Sequence, residues 1–201
     1  FADFIVRMER ENGLPRIVVR ERGTGAEHAI EFAEQAYALG MSNGYLWDSP
    51  WLRFEYSSPS TPAQVFDYNM RTRERVLRKT QVVPSGHVPS DYIVERIDAP
   101  ASDGALVPVT MVRHRNTPVD GTAPVLLYGY GAYGITIEAE FRTGRLSLVD
   151  RGFIYAIADV RGSMAKGYQW YLDGKLEKKI NTFTDFVAAG EHLVNIGYTS
   201  R

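Results

Sequence analysis

Residues 124–162, PVLLYGYGAYGITIEAEFRTGRLSLVDRGFIYAIADVRG, decide the fold of the second half of this chain. They contain two continuous apolar runs, at 124–130 and 153–160, of the kind found in strands buried on both faces of a parallel sheet. The segment between the runs places Leu146 and Val149 on one helical face and then reaches a glycine stop. The pattern therefore predicts a strand, a crossover helix and a second parallel strand.

A second helix is predicted after the second apolar run. Thr182 is the predicted N-cap with Asp185 three residues later, and Gly197 stands where a C′ residue belongs. The predicted buried face consists of residues at helical spacing, namely Phe183, Phe186, Val187, Gly190 and Val194. With a hairpin predicted over 98–113, the order hairpin, strand, helix, strand, helix is typical of the start of an open α/β sheet. Ligands of such sheets bind at the carboxyl ends of the strands.

The first half of the chain follows a shorter, two-residue period. Strands are predicted at 4–10, 16–22, 28–32, 45–48, 51–58, 64–70 and 75–79. Many short strands separated by turn residues are typical of a sandwich, a barrel or a propeller. A weak repeat at about 50 residues favours four-stranded propeller blades. The predicted domains are therefore 1–97 and 98–201, and two blades alone cannot close a propeller.

Composition excludes several classes of function. The 201 residues carry 23 Lys and Arg against 24 Asp and Glu, which gives no broad electrostatic footprint for nucleic acid or an anionic membrane. The absence of cysteine excludes disulfides, thiol catalysis and cysteine-type zinc sites. No signal peptide is visible, and the expected location is cytoplasmic. No cofactor or metal is predicted, because the histidines lack metal-ligand spacing. They are His28, His87, His114 and His192.

Two short glycine motifs match known active-site patterns, but the residues around them do not favour those sites. Residues 40–44 fit G-x-S-x-G, but a strand-like segment follows instead of the helix that a nucleophilic Ser42 requires, so a hairpin turn is the better interpretation. Residues 129–134 fit the dinucleotide pattern G-x-G-x-x-G, and Asp159 has the position of a ribose-binding acid. The segment after this loop alternates like a strand, where the fingerprint requires a helix.

The same loop allows a third interpretation. In an α/β-hydrolase, the loop after the first long strand contributes to the oxyanion hole, so Tyr130 is a candidate oxyanion donor, with a tyrosine covering the sheet end as the alternative. Glu138 and Glu140 lie two residues apart and suit a cationic ligand or a solvated face. The charged run at 175–179 is expected to face solvent.

Larger stretches resemble the prolyl oligopeptidase family of serine peptidases, and within it the oligopeptidase B branch. The resemblance is carried by 124–162 and by WYLDGKLEKKINTFTDFVAAGEHLVNIGYTS at 170–200, most specifically by LYGYGAYG and NTFTDF. The segment YSSPSTPAQVFDYNMRTRERVLRKTQV at 56–82 resembles the last propeller blade and the domain crossover. The resemblance covers nearly the whole chain.

The resemblance implies the end of a seven-bladed β-propeller followed by the start of an α/β-hydrolase domain. It implies cleavage of short peptides after Arg or Lys by a Ser-His-Asp mechanism, with peptides as partners and the oligomeric state left open. Tyr130 matches the tyrosine whose hydroxyl binds the oxyanion, and Tyr133 matches an aromatic residue of the substrate cleft. Glu138 and Glu140 match an acidic pair that binds basic substrate side chains.

Two departures qualify these implications. Residues 161–167 read RGSMAKG where the family has R-G-G-G-E-x-G, so an acidic residue is replaced and Ser163 lacks a nucleophile's context. By family order the nucleophile elbow is expected within about ten residues after Arg201, so residues 1–201 alone are expected to be inactive. The alternative is a propeller-type binding module with a degenerate, non-catalytic hydrolase half. An esterase or nucleotide-binding enzyme that shares only the sheet is a third possibility.

Overall fold

The computed structural model describes residues 1–42, 44 and 46–201. The strands are β1 (Phe4–Glu11), β2 (Leu14–Glu21), β3 (Glu27–Ala29), β4 (Ala38–Met41), β5 (Trp51–Ser57), β6 (Gln64–Asn69), β7 (Arg75–Thr80), β8 (Tyr92–Pro100), β9 (Leu106–His114), β10 (Val125–Tyr128) and β11 (Ile154–Ala158). The helices are α1 (Thr143–Val149), α2 (Tyr168–Leu172) and α3 (Ile180–Asn195), with short 3₁₀ turns at Pro89–Asp91 and Leu176–Lys178. None of the helices in these described residues is long and apolar enough to cross a membrane.

The first half forms two antiparallel sheets, as expected of propeller blades. One has the strand order β1-β2-β3 and the other β4-β5-β6-β7. The tight turn between β1 and β2 contains Asn12 and Gly13, both with positive φ, which is the geometry that a two-residue hairpin favours. A shared core lies between the sheets, built from alternate residues of the strands, among them Ile17, Val19 and Phe54.

Two strand predictions in this half are corrected. The segment 46–48 is not a strand, and Tyr45 lies outside the described residues. The fourth strand is instead β4, whose sequence ALGM lacks the β-branched residues that would have announced it. The strand predicted at 28–32 is shorter and ends at Ala29. The Ser42 N–H donates to Arg53 at 3.1 Å beside β5, while the rest of the G-x-S-x-G pattern includes Asn43, which is also outside the described residues.

The second half contains one sheet in the order β10-β11-β9-β8. The two apolar runs pair in parallel as β10 and β11, and the hairpin β8–β9 adds to them through an antiparallel contact between β11 and β9. The two predicted parallel strands and the predicted hairpin are therefore confirmed. Strand β8 begins at Tyr92, so a boundary between residues 97 and 98 would divide a strand.

Helices cover both faces of this sheet. On one face α1 buries Leu146 and Val149, and Val149 packs in the cluster that holds Tyr155 of β11. On the other face α3 contributes Ala189 and Leu193 to the core formed with β9 and β11. Strand β11 is therefore buried along its whole length, which explains its continuous apolar sequence. Strand β10 lies at the edge of the sheet and is only partly buried, and Tyr128 is 41% exposed.

The two ends of α3 differ in how well the sequence predicts them. Gly197 has φ +82°, and its N–H and that of Tyr198 bond back to Val194 and Leu193, as in a Schellman motif. The N-cap prediction is wrong, because the helix begins at Ile180 and Thr182 lies inside its first turn.

The buried face of α3 is also rotated from the predicted one. The buried residues are Thr182, Asp185, Ala189 and Leu193. Phe183 is 60% exposed and Val187 is 57% exposed. The inward positions of the first turns are taken by Thr182 and Asp185 because both bond to the loop after β11.

Candidate active site

The loop 129–134 follows β10 directly at the carboxyl end of the parallel pair. No helix starts at this loop, and the next one in the described chain begins at Thr143. A dinucleotide site needs a helix N-terminus at the glycine loop to face the pyrophosphate. The geometry of this loop therefore does not fit the dinucleotide fingerprint.

Gly131 is the most crowded position of this loop. It has φ +62°, and a Cβ atom there would lie 2.4 Å from Thr182 Cγ2, 2.6 Å from Val160 Cγ2 and 2.9 Å from the Arg161 carbonyl oxygen. Both the backbone conformation and the lack of space require glycine. The loop is thereby pressed against α3 and against the chain that leaves β11.

The loop 161–167 after β11 pairs with the loop after β10. The Gly134 N–H donates to the Gly162 carbonyl at 3.0 Å, and the Met164 N–H donates to the Gly134 carbonyl at 3.2 Å. The altered sequence of 161–167 thus still fixes the neighbouring loop through its backbone. The Ser163 hydroxyl is buried and donates to the Val160 carbonyl at 2.8 Å, consistent with its exclusion as a nucleophile.

A buried ion pair between Arg161 and Asp185 stabilises both loops. The Arg161 guanidinium donates to Asp185 of α3 at 2.6 and 2.9 Å, and the Arg161 backbone N–H reaches the same carboxylate at 2.9 Å. Asp185 is fully buried. A second partner, Asp103 of the β8–β9 turn, accepts from Arg161 at 2.6 Å, and this contact lowers the pKa of the Asp103 carboxyl. Hydrogen bonds to the carboxylates of Asp185 and Asp103 raise the pKa of Arg161, which stays charged.

The two candidate tyrosines of the loop are accessible. Tyr130 is 43% exposed and Tyr133 is 84% exposed. Neither hydroxyl has a hydrogen-bond partner among the residues the structure describes, so both are free to donate to a ligand. Tyr133 has φ +54°, an uncommon conformation for a residue with a side chain, which turns it outward from the loop.

Glu138 and Glu140 line one cleft, but each already binds an arginine. The cleft is formed with Tyr128, Thr136, Arg142 and Tyr155. Glu140 accepts from Arg142 Nε at 2.8 Å, and Glu138 forms an ion pair with Arg10 of β1. Both glutamates are half-buried, and their side chains keep 36% and 37% of their surface exposed. In the described chain this cleft does not include Tyr130 or Tyr133.

Asp159, at the end of β11, is a buried carboxyl that sequence reasoning assigned to a different role. Burial raises its pKa to about 7, against the opposing charges of Arg96 and Arg10, and the charge of Glu138 raises it further. Arg96 Nη2 lies 3.9 Å from the carboxylate and donates to the Asn12 carbonyl at 2.6 Å. Asp159 therefore lies where the β1–β2 turn meets the second half of the chain, a contact that no local pattern predicted.

No group of three or more metal-ligating side chains occurs within residues 1–42, 44 and 46–201. The charged run 175–179 is exposed at residues 176–178, whereas Lys175 and Lys179 at its two ends are half-buried. Lys179 is half-buried, and its ammonium donates to the Gly131 carbonyl and to Thr182. Lys179 and Thr182 were not predicted to contact the loop, although the motif NTFTDF begins two residues after the lysine and contains the threonine.

Comparison with known proteins agrees with this arrangement. The family model described as "Prolyl oligopeptidase, N-terminal beta-propeller domain" matches residues 1–81, and the model described as "Prolyl oligopeptidase family" matches residues 139–201. Together they match most of the chain in the order of the two halves. The chain belongs to the prolyl oligopeptidase family. The predicted fold class, propeller blades followed by the start of the hydrolase domain, is confirmed.

Relatives within the prolyl oligopeptidase family support the same assignment. The chain is 42% identical to a dipeptidyl aminopeptidase BI from Pseudoxanthomonas mexicana and 35% identical to a protease 2 from Moraxella lacunata, over its full length. Oligopeptidase B from Trypanosoma brucei, solved with covalently bound antipain, matches with a TM-score of 0.92 and 38% identity over 99% of this chain. The chain spans 28% and 29% of the two relatives and 29% of the solved structure. Its sequence relatives are thus peptidases by name.

Proposed function

We propose that the whole protein containing these residues is a serine oligopeptidase that hydrolyses short peptides after Arg or Lys. Family membership and the likeness to oligopeptidase B structures support a peptidase. The observation that carries the proposal is the loop 129–134. Its backbone is fixed at the carboxyl ends of two parallel strands, while the Tyr130 hydroxyl stays accessible and without a partner among the described residues.

In this proposal Tyr130 stabilises the tetrahedral intermediate. A serine Oγ attacks the scissile carbonyl carbon, a histidine accepts the serine proton, and the carbonyl oxygen becomes an oxyanion. The Tyr130 O–H and the backbone N–H after the serine donate to that oxygen. A donor fixed before the reaction needs no reorganisation as the charge develops, which is why such donors contribute roughly 3–4 kcal/mol.

We place the Ser, His and Asp of the triad outside residues 1–201. In the part of the chain that the structure describes, no serine hydroxyl is hydrogen-bonded to a histidine ring. These residues supply one oxyanion donor and part of a substrate pocket. Residues 1–201 by themselves should therefore hydrolyse no Arg-containing peptide, and measurable turnover would contradict the proposal.

The substrate-binding part of the proposal assigns Tyr133, Glu138 and Glu140 to the peptide. The outward position of Tyr133 suits contact with a substrate chain. The two glutamates now accept from arginine side chains of the protein itself, so the site suits a guanidinium. A substrate arginine would replace one of these internal partners with a similar charge-assisted bond.

The first test is fluorophosphonate labelling of the whole protein. A serine hydrolase becomes labelled on its nucleophile, so the expected result is a labelled band much larger than the 22.6 kDa of these residues. An unlabelled, folded protein would instead favour the second candidate, a propeller-type binding module with a degenerate hydrolase half. The departure of 161–167 from the family pattern is the observation that favours that candidate.

Tyr130→Phe in the whole protein separates the two candidates by rate. A peptidase should lose on the order of 10²-fold in kcat with unchanged folding, because only the oxyanion donor is removed. Tyr168→Phe is the matched control, since Tyr168 is an exposed tyrosine on α2 that has no part in the proposal. Equal rates for the two variants would remove Tyr130 from the mechanism.

Cleavage from the amino terminus is a more specific form of the same proposal. It is favoured by the 42% identity to a relative named a dipeptidyl aminopeptidase, because a carboxylate that binds a guanidinium also suits an α-ammonium group. Two arginine dipeptide anilides, one with a free amino group and one acetylated, distinguish the modes. Preference for the free amine indicates dipeptide release, and equal rates indicate cleavage within a chain.

A further inference from the structure

The Thr182 hydroxyl lies among three backbone carbonyl oxygens. Its Oγ1 is 2.7 Å from the Arg161 oxygen, 3.2 Å from the Gly174 oxygen and 3.3 Å from the Gly131 oxygen. A hydroxyl has one proton, so it donates to the closest of them and leaves the Gly131 oxygen in need of another donor. The three oxygens belong to three different loops, which this one side chain brings together.

Lys179 supplies the missing donor. Its Nζ donates to the Gly131 oxygen and lies 3.1 Å from Thr182 Oγ1. Lys179 has no carboxylate within ion-pair distance among the described residues, so its ammonium is used on these oxygens. Partial burial lowers the pKa of Lys179, as expected for a charge turned toward protein.

The orientation of Tyr130 depends on this contact. Tyr130 directly precedes Gly131, and its side chain is 43% exposed and has no hydrogen bond in the described chain. No hydrogen bond within the described residues aims its hydroxyl, so its direction depends strongly on the backbone that carries it. That backbone is held where Gly131 is pressed against Thr182 and bonded to Lys179.

We propose that Lys179 and Thr182 are positioning residues that aim the Tyr130 hydroxyl at the oxyanion. Lys179 holds the Gly131 carbonyl, and the Thr182 hydroxyl accepts from the Lys179 ammonium and so fixes its position. The proposal rests on the proposed function, because it gives the two residues no role apart from Tyr130. It predicts that their effect on the rate disappears when the Tyr130 hydroxyl is absent.

A double-mutant cycle in the whole protein tests the coupling. Lys179→Met keeps the side-chain stem and, because Lys179 is half-buried, leaves the core intact. In the protein with Tyr130 it should lower kcat about tenfold with KM within about twofold, since misplacement of a catalytic group is costly in rate. In the Tyr130→Phe background the same change should leave kcat unaltered within about twofold. If the kcat losses of Lys179→Met and Tyr130→Phe multiply in the double variant, the proposal is wrong.

Variants of Thr182 separate the hydroxyl from the shape of the residue. Thr182→Val should lower kcat as Lys179→Met does, and Thr182→Ser should restore most of it by returning the hydroxyl. Thr184→Val is the matched control, because the Thr184 hydroxyl bonds only within its own helix, to Asn181 at 3.1 Å. If Thr182→Val fails to fold, the Lys179 cycle decides alone.

The outcomes also distinguish this inference from the proposed function. If Tyr130→Phe lowers kcat but the Lys179→Met loss persists in that background, the positioning role is wrong and the peptidase proposal stands. If Tyr130→Phe has no effect, the proposed function fails first. Equal losses of kcat for Thr182→Val and Thr184→Val would show that Thr182 has no specific role in positioning Tyr130.

Discussion

Two neighbouring stretches after β10 are held in opposite ways. The loop 129–134 is fixed by backbone pairing and by a buried ion pair, all within the second half of the chain. The acidic segment 138–140 is held by partly exposed arginines, and one of them, Arg10, comes from the first sheet. The oxyanion donor therefore stands on a rigid support, whereas the proposed specificity site depends on contact with the propeller.

The difference separates the two proposed tasks. Stabilising a developing charge requires a donor whose position does not change, and close-packed backbone provides this. Admitting a basic side chain requires carboxylates that exchange partners, and partly exposed ion pairs contribute little enough to be exchanged. Mutations should accordingly damage the loop through stability and the acidic segment through substrate affinity.

The largest effect is expected from the ion pair beneath the loop. Asp185→Asn removes the negative charge that pairs with the buried Arg161 guanidinium. Breaking a buried ion pair lowers the free energy of unfolding by about 3–5 kcal/mol. Amide hydrogen exchange in β10 and β11 of the whole protein measures this loss. Asp103→Asn is the control, because Asp103 bonds the same guanidinium but its side chain is 48% exposed, so it should cost about 1 kcal/mol or less. Equal costs would refute the distinction.

Gly131→Ala tests the steric part of the support. The added Cβ would clash with Thr182 and Val160, and alanine would have to adopt the left-handed conformation of Gly131. The expected loss in the free energy of unfolding is about 2–4 kcal/mol. Gly152→Ala has a similar φ of +89° with open space around it, so it should show the conformational cost alone, roughly 1–2 kcal/mol. The same hydrogen-exchange measurement compares them. A Gly131→Ala loss no greater than the control would mean that the loop can move away from α3.

The contact between the halves should respond to pH through Asp159. Its pKa of about 7 lies above its usual value, so the folded protein holds a proton that the unfolded chain releases. The contribution of Asp159 to stability should be highest below about pH 4, fall by at most about 1.4 kcal/mol per pH unit up to about pH 7, and level off above it. The thermal midpoint of the whole protein, followed across this range, measures the fall.

Asp159→Asn should flatten that pH profile, because an amide next to Arg96, Arg10 and Glu138 does not titrate. Asp120→Asn should leave the fall in place, since hydrogen bonds from Thr122 lower the pKa of Asp120 and move its titration below this range. A profile in which Asp159→Asn still falls between pH 4 and 7 would assign the dependence to another group.

The smallest effect is expected at Arg10. Arg10→Met frees the Glu138 carboxylate and should lower KM for an Arg substrate about threefold, while stability changes by at most about 1 kcal/mol. Arg7→Met is the control, because Arg7 also lies on β1 but pairs with Glu9 and Glu27 in its own sheet. An unchanged KM for the Arg10 variant would indicate that Glu138 does not bind the substrate cation.

Much of the fold was predictable because its signals are local. Two continuous apolar runs predicted β10 and β11. The three-residue spacing of Leu146 and Val149 predicted the buried face of α1, and Gly197 predicted the end of α3. Strand β4 escaped because its residues carry no strand preference. The candidate site was predictable only in part. The resemblance named Tyr130, Tyr133, Glu138 and Glu140, whose roles stay predictions, and said nothing of the residues that hold them.

By itself the sequence determined the order of the strands and helices apart from β4 and α2, the glycine positions of the turns and the family of the chain. Each of these depends on residue type and short-range spacing, which periodicity and backbone preference make visible. Only the tertiary structure decided that Thr182 lies inside a helix, that Lys179 bonds Gly131, and that Arg10 reaches Glu138. The physical reason is that a polar side chain takes whichever partner the packing brings near, and that partner can be more than a hundred residues away.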